Sequence, residues 1–209
     1  MKILICDDHK LLREGLIQIL RPVEEITYIG EAGTGEEVLK LMKNTAFDIL
    51  ILDIALPGKN GLEILATVKT LYPSTPVLMV SMHTQVQYAI RALKKGASGY
   101  LTKNVASDEL IIAIRKIKNG GKYIAKDLVE EIADTAINGK DLQKHETLSE
   151  HEFDIMIKIA NGQTPTQIGL EMNLSRNTIS SLRSKILFKM HFETSADITK
   201  YCYEQKLIT

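Results

Sequence analysis

The stretch Ile49-Leu50-Ile51-Leu52-Asp53-Ile54-Ala55-Leu56-Pro57-Gly58-Lys59-Asn60-Gly61 decides the fold. Four apolar residues end abruptly in an acid, and a turn-rich segment follows. Short apolar runs bounded by turn residues read as strands buried on both faces, the signature of a parallel sheet covered by helices. Working outward, the same pattern recurs at Ile3-Leu4-Ile5-Cys6, Ile26 to Ile29, Val77 to Val80 and Gly99-Tyr100-Leu101. Between these runs lie helical periodicities: Leu11, Leu12, Leu16, Ile19 and Leu20; Val38, Leu39 and Met42; Leu62, Leu65 and Val68; Leu110, Ile111, Ile114 and Ile117. Strand alternating with helix five times predicts an α/β doubly wound domain with a five-stranded parallel sheet and right-handed crossovers.

In such sheets ligands bind outside the carboxyl ends of the strands. Asp7 and Asp8, Asp53, Ser81 and Lys103 all fall there. Adjacent carboxylates repel and call for a cation, and Mg2+ suits them because it takes oxygen ligands and bridges carboxylate and phosphoryl oxygens. A carboxylate projecting from a rigid strand is a candidate nucleophile toward phosphorus. Lys103 and the cation would neutralise charge on the transferred oxygens, and the Ser81 hydroxyl would bond a phosphoryl oxygen once one arrives. Taken singly, each residue has a blander reading: a capping Asp or Ser, a solvated Lys, a packing Tyr100. Their ordered placement at four strand ends favours one shared site.

Bulk properties are those of an ordinary globular chain. The 209 residues are 44% hydrophobic and 25% charged, with a formal net charge of +0, so whole-chain charge gives no support for a nucleic-acid partner. The two cysteines, Cys6 and Cys202, have no metal-type spacing, which fits a reducing compartment. The opening Met1-Lys2-Ile3-Leu4-Ile5-Cys6-Asp7-Asp8 meets acids too soon for a signal peptide. No apolar run nears the ~20 residues needed to cross a membrane. A cytoplasmic protein without membrane contact is expected.

The pattern weakens from Asn119-Gly120-Gly121 to about His145. There Leu128 to Ile137 suits a short helix and Asn138-Gly139-Lys140-Asp141 a polar break. We place an α/β unit at 1–122, a linker at 123–145 and a helical unit at 146–209. Ser149-x-x-Glu152 opens a helix with Phe153, Met156, Ile157 and Ala160 on its apolar face. Thr164-Pro165-Thr166-Gln167 opens a second, with proline at the favoured position. Ser175 caps a third bearing Ile179, Ile186 and Met190, and Ser195 or Ala196 opens a fourth with Ile198, Tyr201 and Cys202. Two short helices joined by a tight turn, the second with polar residues outward, match a helix-turn-helix.

The set Ile5-Cys6-Asp7-Asp8-His9, Leu52-Asp53 through Pro57-Gly58 and Gly61, Ser81, and Lys95-Gly96-Ala97 through Gly99-Tyr100 and Lys103 resembles the receiver domain of two-component response regulators. Leu148-Ser149-x-x-Glu152, Ile159-Ala160-x-Gly162, Thr164-x-x-Gln167-Ile168, Leu174-Ser175-x-x-Thr178-Ile179 and Lys189-Met190 resemble the LuxR-type output domain that follows a receiver in the NarL/FixJ subfamily. The resemblance implies a transcriptional regulator rather than an enzyme. Asp53 would take a phosphoryl group from a sensor histidine kinase. Asp8, Asp53 and the Ala55 carbonyl would hold Mg2+, with Asp7 acting through water. Ser81 and Tyr100 would form the switch pair, reshaping the surface near Thr84 to Lys95.

On the output side, Thr164, Arg176, Asn177, Thr178, Ser180, Ser181, Arg183, Ser184, Lys185 and Lys189 are the candidate contacts to double-stranded DNA, cations toward phosphates and Asn or Ser toward base edges. Ile198, Tyr201 and Cys202 are the candidate surface for a homodimer formed on phosphorylation. The sequence departs from the family at His151, where Arg is common, at Ser180, where Lys or Arg is common, at Leu182, where His or Tyr is usual, and at Leu56, where Met is commoner. From His145 onward seven Lys and Arg face eight Asp and Glu, so the unit lacks a basic footprint. A protein-interaction module with weakened DNA binding is therefore the alternative. A haloacid-dehalogenase-like phosphatase would need an Asp two residues after the nucleophile, where Ala55 stands.

Overall fold

A computed structural model describes residues 1–56, 60–82, 86–104, 107–137 and 144–208. The chain divides into two compact units, Met1–Asp134 and Thr135–Thr209.

The first unit alternates β1 (Lys2–Cys6), α1 (Lys10–Leu20), β2 (Tyr28–Ala32), α2 (Gly35–Asn44), β3 (Ile49–Leu52), α3 (Gly61–Leu71), β4 (Val77–Ser81), α4 (Val86–Lys94), β5 (Gly99–Thr102) and α5 (Ser107–Lys118), then β6 (Tyr123–Ile124) and α6 (Lys126–Ile137). Every strand pairing is parallel, in the order β2-β1-β3-β4-β5-β6. Ile3, Leu4 and Ile5 on β1, all of β3, and Val77, Leu78 and Met79 on β4 have at most 1% exposure. That two-faced burial is why these runs carry no polar alternation.

The expected five strands are six. β6 is two residues long and pairs Gly99 with Tyr123 and Tyr100 with Ile124. It can approach because Gly99 has no side chain: a Cβ there would lie 2.6 Å from the Tyr123 carbonyl oxygen. β2 begins later than the apolar run suggests. The Ile26 N–H bonds the Val23 carbonyl at 2.9 Å, so Ile26 closes a turn instead of starting the strand. The stretch expected as a linker holds β6, α6 and a 3-10 turn at Lys144–Thr147. The expected polar break lies outside the described residues.

The second unit contains α7 (Glu150–Ala160), α8 (Pro165–Met172), α9 (Arg176–Met190) and α10 (Ser195–Glu204). Its core joins Phe153, Ile155 and Met156 of α7 to Ile168, Ile179, Ile186, Met190, Ile198, Cys202 and Leu207, all at 0% exposure. Ser149 and Thr164 form reciprocal capping boxes with Glu152 and Gln167. α10 begins at Ser195, one of the two expected starts, and is capped by Thr194, whose hydroxyl accepts from the Asp197 N–H. The turn between α8 and α9 is tight. Asn173 is left-handed (φ 54), and a Cβ on Gly169 would come within 2.6 Å of the Leu174 carbonyl oxygen.

Gly61 anchors the segment after β3. Its N–H donates to the Ile54 carbonyl at 2.8 Å, and a Cβ would stand 1.9 Å from the Asp53 carbonyl oxygen. The obstacle is main chain, which cannot rotate away. Gly61→Ala is expected to cost the first unit about 1–3 kcal/mol, measured as a lower urea midpoint for that unit's transition.

Candidate functional site

In the first unit β1 and β3 lie side by side, with β2 and β4 outside them, so the order of connection reverses there and leaves a crevice at the carboxyl ends. The ladder continues one residue beyond the strands: Asp7 N–H to Ala32 O at 3.2 Å, Asp53 N–H to Cys6 O at 2.9 Å, Lys103 N–H to Ser81 O at 2.8 Å. Rigid backbone therefore delivers Asp7, Asp53 and Lys103 to one point.

There the Lys103 Nζ lies 2.7 Å from Asp7 Oδ2 and 2.7 Å from Asp53 Oδ2. Both carboxylates are 2% exposed. Asp53 Oδ1 also accepts from the Ile54 N–H at 2.7 Å, and the Ala55 backbone bonds the same carboxylate. Asp7 Oδ1 accepts from the His9 N–H at 2.8 Å. Burial pushes the Asp53 carboxyl up to about 6, against the pull of Lys103. For Lys103, burial favours the neutral amine, but Asp53 and Asp7 outweigh it and hold the ammonium above its usual range.

Asp8 faces outward, and its Oδ1 is 2.9 Å from His9 Nδ1. Asp7, Asp8, His9 and Asp53 each offer one ligand atom, all within 4.8 Å of one another. Three hard carboxylate donors at this spacing fit a small divalent cation. The sequence reading passed over His9, whose only signal was its place directly after the acidic pair.

Ser81 and Tyr100 are both at 0% exposure. The Tyr100 hydroxyl bonds the Ser81 side chain, while burial pushes that hydroxyl's pKa upward. Thr84, the expected start of the responsive surface, lies outside the described residues; α4 covers Val86–Lys94.

On α9, Arg176, Asn177, Thr178, Ser180, Ser181, Ser184 and Lys185 are exposed around the buried Ile179 and Ile186. Three of the expected DNA cations have partners inside the unit. Lys189 Nζ is 2.6 Å from the buried Glu152 carboxylate, Lys185 Nζ is 3.8 Å from it, and Arg183 Nε donates to Ser195 Oγ at 2.7 Å. Thr164 caps α8 through Gln167, and the Thr178 hydroxyl is 2.8 Å from that of Ser175. Two large apolar side chains that the sequence reading did not single out stand in solvent, Leu170 and Phe188 at 77% and 80% exposure.

The expected dimer surface needs correction. Ile198 and Cys202 are at 0% exposure inside their own unit. Tyr201 packs against Phe192 at 5.4 Å between ring centroids, and its hydroxyl lies 3.0 Å from His145 Nδ1. The outward face of α10 holds Ala196, Thr199, Lys200 and Tyr203 instead.

Two family models match the chain. "Response regulator receiver domain" covers residues 3–115 and "Bacterial regulatory proteins, luxR family" covers residues 146–202. The chain belongs to the two-component response regulators of the NarL/FixJ subfamily. It is similar to response regulator UvrY of Escherichia coli (strain K12), 32% identical over 200 residues, 95% of this chain and 92% of that protein. It also resembles response regulator GacA of Pseudomonas aeruginosa, 29% identical over 202 residues, with 95% and 93% covered. Among solved structures, a LuxR-family response regulator from Aurantimonas sp. SI85-9A1 matches with a TM-score of 0.62 and 31% identity over 65% of this chain and 97% of that one. The RcsB–DNA complex, at 22% identity and a TM-score of 0.62 over 97% and 98%, shares the fold. This response regulator is thus a phosphorylation-controlled, DNA-binding transcription regulator, a class distinct from enzymes. Among the described residues no helix is long and apolar enough to cross a membrane.

The Glu152–Lys189 pair makes the output unit acid-sensitive. Burial alone would raise the Glu152 carboxyl, but Lys189 and the Ser149 N–H outweigh it and hold it below its ordinary 4.5. A carboxyl lowered by folding stabilises above 4.5 and loses that contribution as pH falls through the lowered value. Glu152→Gln keeps the capping-box geometry and is expected to lower the melting temperature at neutral pH. Melting curves recorded from neutral to acid pH should show wild type and variant converging below 4.5.

Proposed function

We propose that Asp53 is the phosphoacceptor, taking its phosphoryl group from a phosphohistidine on a sensor kinase. The supporting observation is the Lys103 ammonium 2.7 Å from both buried carboxylates at the strand-order reversal. A carboxylate oxygen of Asp53 would form the new O–P bond as the P–N bond to the donor histidine breaks and that nitrogen takes up a proton. Lys103 would move from the bare carboxylates to the incoming oxygens. Asp8, Asp53 and the Ala55 carbonyl would hold Mg2+, with Asp7 acting through water. The cation would supply neutralisation of charge on the transferred oxygens.

The Ser81 hydroxyl would then turn to a phosphoryl oxygen, leaving its bond to Tyr100 and freeing that ring to repack beside α4. The consequence would be pairing of two copies in the cytoplasm, with two α9 helices set about one DNA turn apart, ~34 Å. For the output unit, Ala196, Thr199 and Tyr203 replace Ile198, Tyr201 and Cys202 as the candidate pairing face. Arg176, Asn177, Ser180 and Ser181 are the side chains freest to reach DNA. The second reading, a protein-interaction module with weakened DNA binding, is motivated by the engagement of Lys189 and Arg183 within the unit.

Intact mass after incubation with acetyl phosphate and Mg2+ tests the acceptor. Wild type should gain about 80 Da, one phosphoryl group on a carboxylate, and Asp53→Asn none. Binding to promoter duplexes tests the output. Affinity should rise on phosphorylation and fall with salt, and Arg176→Ala should reduce the salt slope by about 1. Equal, salt-insensitive binding by both forms would favour the protein-interaction reading.

A further inference from the structure

Arg13, in the first turn of α1, touches the acidic pocket through its main chain. Its Nη1 donates to the Asp7 carbonyl oxygen at 2.6 Å, and its Nε lies 3.3 Å from Glu31 Oε2. The Arg13 side chain is 16% exposed, and Glu31 is held on β2 opposite Ile5. Each polar atom of Asp7 thereby has a partner: the N–H on Ala32, the carbonyl under Arg13, Oδ1 under the His9 N–H, Oδ2 on Lys103. The Asp7 carbonyl belongs to the peptide plane that leads into Asp8. Gripping that oxygen sets the direction from which Asp8 enters the pocket, where its exposed side chain has His9 as its ion-pair partner among the described residues.

We propose that Arg13 is a positioning residue for divalent-cation binding, clamping the Asp7–Asp8 peptide with Glu31 as its anchor. The inference rests on the reading of the acidic pocket as a Mg2+ site. Charge and position make opposite predictions here. A guanidinium bonded to the Asp7 carbonyl at the pocket's edge repels an incoming cation, so its removal on charge grounds alone would tighten Mg2+ binding. A lost clamp loosens the ligands and weakens it. Glu31, 3.3 Å from the Arg13 Nε, offsets part of that repulsion. The arrangement follows the general pattern in which groups behind the ligands orient them, and whose loss typically costs 10–100-fold in metal affinity.

The test is Mg2+ titration by calorimetry on the full chain, with melting temperatures recorded in parallel. Arg13→Met is expected to bind Mg2+ about 10-fold more weakly than wild type. Arg13→Lys keeps the charge but lacks the planar fork that reaches carbonyl and carboxylate together, so it should rescue less than half of that loss on a logarithmic scale. Glu31→Gln should shift affinity in the same direction. A purely structural role would lower the melting temperature and leave Mg2+ affinity unchanged. Equal or tighter Mg2+ binding by Arg13→Met, or by Arg13→Lys where the Met variant does not fold, overturns the proposal while leaving the pocket reading intact. Absence of Mg2+ binding by the wild type overturns both.

Discussion

One ammonium holding two buried carboxylates is the constraint around which the first unit is arranged. Asp7 and Asp53 are 2% exposed at the ends of neighbouring strands, and without Lys103 their repulsion and lost hydration would oppose the close packing of β1 against β3. Lys103 reaches them only because β5 runs parallel to β4 and β4 to β3, which brings three strand ends to the same level. The pocket is thus balanced but not saturated. Two acidic side chains share one cation, and Asp8 adds a further negative charge at the mouth. That surplus is the charge which the proposed divalent cation would neutralise, leaving Asp53 as the proposed nucleophile. Burial, more than this surplus, drives the Asp53 carboxyl up to about 6.

Close backbone approach is the second requirement. The segment after β3 must return past Asp53 before α3 begins, and at Gly61 the Cβ position falls on the Asp53 carbonyl. Gly99 plays the matching role at the sheet edge, where β6 crowds β5. Ser81 and Tyr100, on β4 and β5, are then locked by full burial and a mutual hydrogen bond, so any movement of one hydroxyl is felt by the other.

Much of this was legible in the chain because the chemistry sits at discontinuities. An apolar run that stops at Asp53 or Ser81 announces both the strand and the end where the candidate site lies. β6 had no such signal: Tyr123-Ile124 is too short for periodicity and follows a Gly-Gly pair, and its existence depends on Gly99 about two dozen positions earlier. The α10 residues show a different limit. The 3.6 period identified Ile198 and Cys202 as an apolar face, but periodicity does not say whose core covers it, and the answer is their own. The Glu152–Lys189 bond spans 37 positions, so the sequence pattern that offers Lys189 as a phosphate contact does not show its tie to a buried acid.

That tie bears on how regulation can work. Non-specific attraction to DNA scales with the number of cations free to displace counterions. With Lys189 held by Glu152 and Arg183 by Ser195, and with seven bases against eight acids from His145 onward, the electrostatic hold of a single copy would be small. Weak single-copy binding makes affinity depend steeply on pairing, because the second contact of a linked pair is made at high effective concentration while an unpaired unit gains nothing. A basic recognition helix would bind whether or not the partner was present and would blunt the response. The near-neutral face of α9 would therefore suit the proposed control by assembly, in which the receiver pocket sets when two copies meet.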